Sequence, residues 1–283
     1  MNPARSFLLA AATVLLAAPL LLAQASESSI NNQLGKLRSL APDQRSVATA
    51  KLALDIRALP AGQSKVKLAE HLAGFSTEGD AGHATLQAVA DTLAKALAES
   101  PVPPKGDQPP SAYRELAELV RFEHVTATLD DPLFAKAAKT LEDNDADVAK
   151  ADFTLKDLKG KKFTLSELKG KIVMINFWAT WCPPCMQEMP DLDRLYTHFE
   201  PQGLIVLSIT DDQPFKVSSF VSNSNYHPPV LLDYDGKVRK QFHVEGIPRT
   251  FIFGRDGKLI AEAVDRRVMH QWLEMLSKTD LHP

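Results

Sequence analysis

The sequence predicts an all-α domain followed by an α/β domain in which helices flank a central mixed sheet. Three observations support this fold class. Residues 26–148 are rich in Ala and Leu, contain neither Trp nor Cys, and repeat their apolar residues at helical spacing. Residues 149–283 alternate short apolar runs, typical of strands, with amphipathic segments. Between the two patterns lies an acidic, polar stretch, residues 143–150, which we interpret as a connector.

The first 25 residues have the pattern of a secretory signal peptide. Met1 to Arg5 is basic, residues 7–22 are almost entirely apolar, and Ala-Gln-Ala at 23–25 fits a small-residue cleavage site. An uncleaved membrane anchor is the alternative, but Pro19 and the modest apolar length favour cleavage near Ala25. The mature protein is therefore expected to be exported, to the periplasm or cell envelope.

The predicted helical domain, residues 26–148, shows regular helix signals. One face of a helix is formed by Leu86, Val89, Leu93 and Leu97. Asp131 followed by Pro132 fits an N-cap and a first-turn proline, which predicts a helix through Leu141. The stretch from Ser100 to Ser111 holds five prolines and is predicted to be a loop. No motif in this domain indicates chemistry, so we interpret it as a packing or docking domain of unknown role.

The predicted α/β domain, residues 149–283, begins with a hairpin around Lys159 to Lys161. Strands are then predicted at Lys171 to Trp178, Leu204 to Ile209, Thr250 to Phe253 and Leu259 to Ala263. Helices are predicted after the cysteines, over Phe215 to Val221, and around Val268, Trp272 and Met275. After the hairpin the predicted order is therefore β-α-β-α-β-β-α.

Charge and cysteine content narrow the function. The formal net charge is −3 and no run of Lys or Arg could follow a phosphate backbone, which argues against nucleic-acid binding. The chain has two cysteines, Cys182 and Cys185, too few and too close for a structural disulfide framework. A zinc site needs two further ligands, and His227 and His243 are interpreted as ordinary surface residues. The pair therefore indicates redox chemistry, with no metal and no cofactor beyond the disulfide itself.

The two cysteines are predicted to lie where a helix follows a buried strand. A helix N-terminus favours thiolate over thiol, so we expect an exposed Cys182 to attack first and Cys185 to resolve the mixed disulfide. Pro183 and Pro184 have no N–H to donate, which leaves the helix dipole and the Cys185 amide to stabilise the thiolate. This predicts a comparatively reducing couple.

Residues from about Ala151 to Leu281 resemble the TlpA/ResA branch of the thioredoxin fold, within the redoxin (AhpC/TSA) superfamily. The resemblance is carried by LSELKGK at 165–171, NFWATWCPPC at 176–185, EMP at 188–190 and GIPRT at 246–250. It implies a thiol–disulfide oxidoreductase with an additional N-terminal helical domain. It also implies that Ile247 and Pro248 form a cis-proline loop facing the dithiol and bind substrate together with Trp181.

The resemblance raises two further points about the site. Many thioredoxins carry a buried Asp where this chain has Asn176, and Glu188 matches the Glu that ResA-like proteins place near the dithiol. Glu188 is therefore either a catalytic proton acceptor for Cys185 or a solvated surface residue. Where family members commonly carry a Gly before the last helix, this chain reads Glu262 to Arg267, and we expect those side chains to narrow or recharge the substrate groove.

The implied function is a periplasmic disulfide reductase. Its implied partners are disulfide-containing exported proteins, with apocytochrome c among them through cytochrome c maturation, and a membrane thiol-transfer protein as electron donor. A thiol peroxidase of the peroxiredoxin type is one alternative, although the spacing of Thr180 from Cys182 does not match that class. A redox-sensing binding or scaffold protein that uses the helical domain is the other.

Overall fold

The structure, a computed structural model, describes residues 26–281. The predicted signal peptide, residues 1–25, lies outside this range. The first part, which we call the helical part (residues 26–148), contains six α-helices: α1 Glu27–Lys36, α2 Pro42–Arg57, α3 Gln63–Ser76, α4 His83–Glu99, α5 Ser111–Phe122 and α6 Pro132–Val148. Across residues 26–281, no helix combines the length and the apolar character that crossing a membrane requires.

Helix α6 begins as predicted but ends later than predicted. A carboxylate oxygen of Asp131 accepts the N–H of Leu133 at 2.7 Å, which is the expected N-cap. The helix does not end at Leu141 but continues to Val148, so the prediction of a polar connector from residue 143 is wrong. Its polar residues pair locally, as Lys139 does with Asp143, while Val148 is buried. One buried face is therefore enough to keep this acidic segment helical.

The second part, the sheet part (residues 149–281), contains seven strands and four α-helices. The strands are β1 Thr154–Lys156, β2 Lys162–Thr164, β3 Ile172–Phe177, β4 Leu204–Thr210, β5 Val230–Leu232, β6 Arg249–Phe253 and β7 Leu259–Val264. The helices are α7 Pro183–Phe199, α8 Pro214–Ser224, α9 Lys237–Gln241 and α10 Met269–Leu276. β1 and β2 form the predicted hairpin, and the other five strands form one sheet in the order β5-β4-β3-β6-β7.

This sheet is mixed, because β4 runs parallel to β3 and β5 to β4, whereas β6 and β7 are antiparallel to their neighbours. Both the α/β class and the thioredoxin fold implied by the resemblance are thus confirmed. The predicted element order lacked β5 and the short helix α9. β5 is only three residues long and follows two prolines, too short for a hydrophobic period to be recognised.

The central strand β3 is buried on both faces of the sheet. Ile172 and Met174 pack into an apolar cluster with residues of α7 and α10. The alternate residues Val173, Ile175 and Phe177 pack into a second cluster on the opposite face. Because both faces are covered, the carboxyl end of β3 is held rigidly, and the cysteines follow directly after it.

The helical part has an apolar cluster of its own, drawn from residues 30–141. It contacts the sheet part through polar groups: Gly79 donates its N–H to the carbonyl of Arg266 at 2.7 Å, and Arg114 forms an ion pair with Glu245. Apart from Val148, which packs into an apolar cluster of the sheet part, the two parts have separate apolar clusters, an arrangement compatible with two domains. The division at residue 148 remains a prediction.

Candidate active site

Cys182 and Cys185 lie at the start of α7 and form a disulfide bond. Cys182 is the N-cap residue, and Pro183 occupies the first helical turn, where a missing N–H costs nothing. The N–H of Cys185 points at Cys182 Sγ from 3.3 Å, so the amide expected to stabilise the sulfur is in place. Once reduced, a pair of cysteines at a helix N-terminus can undergo thiol–disulfide exchange with another protein.

Cys182 is buried in this disulfide form, with only 3% of its surface exposed, so the prediction that it is exposed is wrong here. Its Sγ is bonded to Cys185 and lies 3.7 Å from the carbonyl oxygen of Ile247, which covers it. The neighbouring Trp181 is 65% exposed. Trp181 is therefore the large side chain that the site presents to solvent.

The Ile247–Pro248 peptide bond is cis, which confirms that prediction. β6 begins directly after it, and its first residue, Arg249, pairs with Phe177 at the end of β3. This register brings the loop to the end of the sheet where the cysteines lie. The substrate-binding roles of Trp181, Ile247 and Pro248 remain predictions.

Asp212 holds the loop that precedes the cysteines, a role that the sequence analysis missed. One of its carboxylate oxygens accepts the N–H of Thr180 at 2.6 Å and the hydroxyl of Thr180 at 2.8 Å. An acidic residue just after strand β4 was visible in the sequence. Its partner lies 32 positions away in sequence, however, and no local pattern indicates it.

Glu188 is completely buried, so the alternative of a solvated surface residue is wrong. The side-chain amide of Asn176 donates to one of its carboxylate oxygens at 2.8 Å and to the Thr250 hydroxyl at 3.0 Å. The backbone N–H of Arg267 donates to the other carboxylate oxygen at 3.3 Å. Glu188 lies one helical turn beyond Cys185, which is also fully buried.

Burial raises the pKa of Glu188 to about 8, although the hydrogen bonds from Asn176 and Arg267 and the charges of Arg266 and Arg267 oppose this rise. A carboxyl group that binds a proton this readily can act as a proton acceptor for a neighbouring acidic group. Cys185 lies one helical turn from it on α7.

The segment from Glu262 to Arg267, where relatives commonly carry Gly, contacts the helical part. Asp265 adopts a left-handed φ of 62°, which glycine would adopt more easily, and its carboxylate accepts a hydrogen bond from the Thr77 hydroxyl. Arg267 pairs with Glu123 at 2.5 Å. Asp265 also donates its N–H to the carbonyl of Pro248 at 3.1 Å, and the expectation that this segment narrows or recharges the substrate groove remains a prediction.

Across residues 26–281, no three His, Cys, Asp or Glu side chains are grouped so that they could hold a metal ion. His227 is half exposed and lies 3.0 Å from Asp193. His243 is also partly exposed and lies 3.5 Å from Asp147. Both agree with the interpretation of ordinary surface histidines.

The chain is similar to known proteins in sequence, and part of it superposes on solved structures. Residues 146–262 match the AhpC/TSA family. The thiol–disulfide oxidoreductase ResA of Bacillus cereus is 33% identical over 167 residues, which cover 59% of this chain and 94% of the relative. ResA of Bacillus subtilis is 31% identical over 153 residues, 53% of this chain and 83% of the relative. A thiol:disulfide interchange protein from Chlorobium tepidum superposes with a TM-score of 0.42 and 26% identity, covering 44% of this chain and 91% of that one.

Proposed function

Because the chain belongs to the ResA/TlpA-like thiol–disulfide oxidoreductases, we propose that it reduces disulfide bonds of exported proteins through a mixed disulfide. The observation that carries this proposal is the Cys182–Cys185 disulfide at the N-terminus of α7, beside the carbonyl of Ile247. This disulfide is the oxidised form that the enzyme would reach after it has reduced a substrate. Reduction of that disulfide yields the dithiol that attacks a substrate.

In the first step the Cys182 thiolate attacks one sulfur of the substrate disulfide. The substrate S–S bond breaks, its second sulfur leaves as a thiolate, and a disulfide joins Cys182 to the substrate. The helix dipole and the N–H of Cys185 favour the thiolate form of Cys182. Two N-terminal prolines offer it no N–H, which supports the reducing direction that we propose.

In the second step Cys185 loses its proton to the Glu188 carboxylate and attacks Cys182 Sγ. The bond between Cys182 and the substrate breaks, and the substrate leaves with two reduced sulfurs. Two electrons have then passed from the enzyme to the substrate, and the enzyme disulfide has re-formed. The burial of Glu188 supports its role as acceptor, since a buried carboxylate gains stability when it takes up a proton.

We propose that a substrate segment docks between the exposed Trp181 and the loop of Ile247 and Pro248. An aromatic surface and a backbone carbonyl beside the disulfide suit an extended peptide, because backbone pairing does not depend on the substrate sequence. The substrates we propose are exported proteins with accessible disulfides, among them apocytochrome c. The oxidised enzyme then needs an electron donor, for which we propose a membrane thiol-transfer protein.

Dithiothreitol-driven reduction of insulin disulfides tests the proposal. Residues 26–283 should accelerate it, and Cys182→Ser should abolish the acceleration. Activity that survives in Cys182→Ser would overturn the assignment of the attacking sulfur. Hydrogen peroxide replaces insulin in a parallel assay, where faster peroxide consumption than insulin reduction would favour a peroxidase instead.

A further inference from the structure

The segment between β7 and α10 is held from two sides. On one side the backbone N–H of Arg267 bonds to Glu188. On the other side the segment is bound to the helical part, where Asp265 meets Thr77 and the carbonyl of Arg266 accepts the N–H of Gly79. The same short segment therefore contacts both the buried carboxyl of the site and the helical part.

The segment is also held by the ion pair between Arg267 and Glu123. Its N–O distance is 2.5 Å, and the two side chains are only 5% and 7% exposed. Glu123 follows the last residue of α5, where the negative end of the helix dipole also favours a cation. Removing one partner of a buried pair leaves an unpaired charge in a poorly solvated site, which proteins tolerate badly. The pair therefore fixes the position of Arg267.

We propose that Glu123 is a positioning residue for the dithiol: through Arg267 it sets the environment of Glu188 and thereby the rate at which Cys185 resolves the mixed disulfide. The inference rests on the proposed role of Glu188. It assigns the helical part a share in the chemistry, where the sequence indicated a packing or docking domain.

The charges around Glu188 predict the direction in which its pKa changes when Glu123 is removed. The charged and titratable groups that face Glu188 are Arg266 and Arg267 from the β7–α10 segment, Tyr226 from the chain after α8, and Cys185 on α7. Both arginines favour the ionised form of Glu188. Glu123 neutralises one of them, so it limits that effect. Without Glu123 one of the negative charges near Arg267 is lost, so its positive charge acts more strongly on Glu188, and the carboxyl should lose its proton at lower pH.

The experiment follows the Glu188 carboxyl carbon by ¹³C NMR against pH in the oxidised full mature chain, with the signal assigned by its loss in Glu188→Gln. Resolution of a trapped mixed disulfide is measured over the same pH range. Glu123→Gln should lower the pKa of Glu188 by about half a unit, a roughly threefold change in proton affinity. The double variant Glu123→Gln with Arg267→Met removes both charges. It should raise the pKa of Glu188 above the wild-type value by a similar amount.

Asp80→Asn is the matched control, because Asp80 also crosses the boundary, to His270 at 2.9 Å, but in an exposed pair. It should leave the pKa and the pH profile of resolution unchanged. If Glu123→Gln does not fold, the double variant decides, since neutral side chains of similar size often replace a buried ion pair without loss of stability. Superimposed titrations of wild type, Glu123→Gln and the double variant would overturn the inference. The variants could shift the pKa of Glu188 while Glu188→Gln leaves the rate of mixed-disulfide resolution unchanged. In that case the proposed role of Glu188 is wrong, and Glu123 cannot act on the resolution rate through it.

Discussion

The side-chain amide of Asn176 donates a hydrogen bond to Glu188 across 2.8 Å, from the central strand to the helix that carries the cysteines. Many thioredoxins, which this chain resembles, carry an acid at the strand position that Asn176 occupies. Here the residue on the strand cannot titrate, and the carboxyl reaches the same buried region from α7. The protein thus has a buried acid one helical turn from Cys185, but on a different element from the strand.

Glu188→Gln should slow resolution of the mixed disulfide at pH 7 by about 100-fold, toward the lower end of what general acid–base catalysis contributes. In the wild type the rate should rise with an inflection near pH 8, where Glu188 ionises. The variant should lack that inflection, and its apparent thiol pKa should be lower because a neighbouring negative charge is gone. Stopped-flow resolution rates and alkylation rates against pH measure both effects.

Asp191→Asn serves as the control for this experiment, since Asp191 lies on the same helix and pairs with Arg194. It should leave the profile unchanged. Identical profiles for wild type and Glu188→Gln would mean that the proton of Cys185 goes to water.

The stability of the protein should also report on Glu188. Folding raises the pKa of this carboxyl from 4.5 to about 8, so between these values the folded state binds more protons than the unfolded state. The free energy of unfolding should therefore fall as pH rises from about 5 to about 8. Glu262 and Glu115, which burial affects in the same direction, contribute equally to wild type and variant. Urea unfolding at both pH values should show Glu188→Gln gaining stability relative to wild type at the higher pH, and a pH-independent difference would contradict this.

Trp181→Ala should lower the rate of exchange with protein disulfides by about tenfold, equivalent to roughly 1.4 kcal/mol of docking free energy. The free energy of unfolding should hardly change because the side chain is 65% exposed. A small aromatic disulfide needs no docking surface and should react at the wild-type rate. Phe215→Ala is the control, since Phe215 is 64% exposed. Equal losses with both substrates would show that Trp181 acts on the thiol and not on docking.

Residues 149–283 should fold cooperatively without the helical part. The apolar clusters of the sheet part are drawn from residues 148–281 and do not include helical-part residues before Val148. Circular dichroism against urea measures this. A gradual, non-cooperative transition would show that the two parts share one folding unit.

Several features of the sheet part could be predicted because they depend on short, contiguous stretches of sequence. The run from Lys171 to Trp178 is apolar on both faces, and β3 lies within it. β6 and β7 lie where strands were predicted, at Thr250 to Phe253 and Leu259 to Ala263, on either side of Gly257, which has a positive φ. The position of Cys182 at a helix N-terminus followed from the same local reasoning.

What could not be predicted depends on residues distant in sequence. The burial of Glu188 depends on Asn176 and on Arg267, which lies 79 positions further along the chain, so helical spacing alone left two interpretations open. The ion pair of Arg267 joins residues 144 positions apart. β5 was not predicted because three residues are too few to show a strand periodicity, although its apolar run follows two prolines.

The most direct test of the account is the identity of the sulfur that carries the substrate. Reduced Cys185→Ser protein is mixed with a peptide that contains one intramolecular disulfide, and the products are mapped by tandem mass spectrometry. The account predicts a stable covalent adduct through Cys182, and none in Cys182→Ser treated in the same way. An adduct through Cys185 formed as fast in Cys182→Ser, or turnover by the wild type without any trappable adduct in Cys185→Ser, would contradict it.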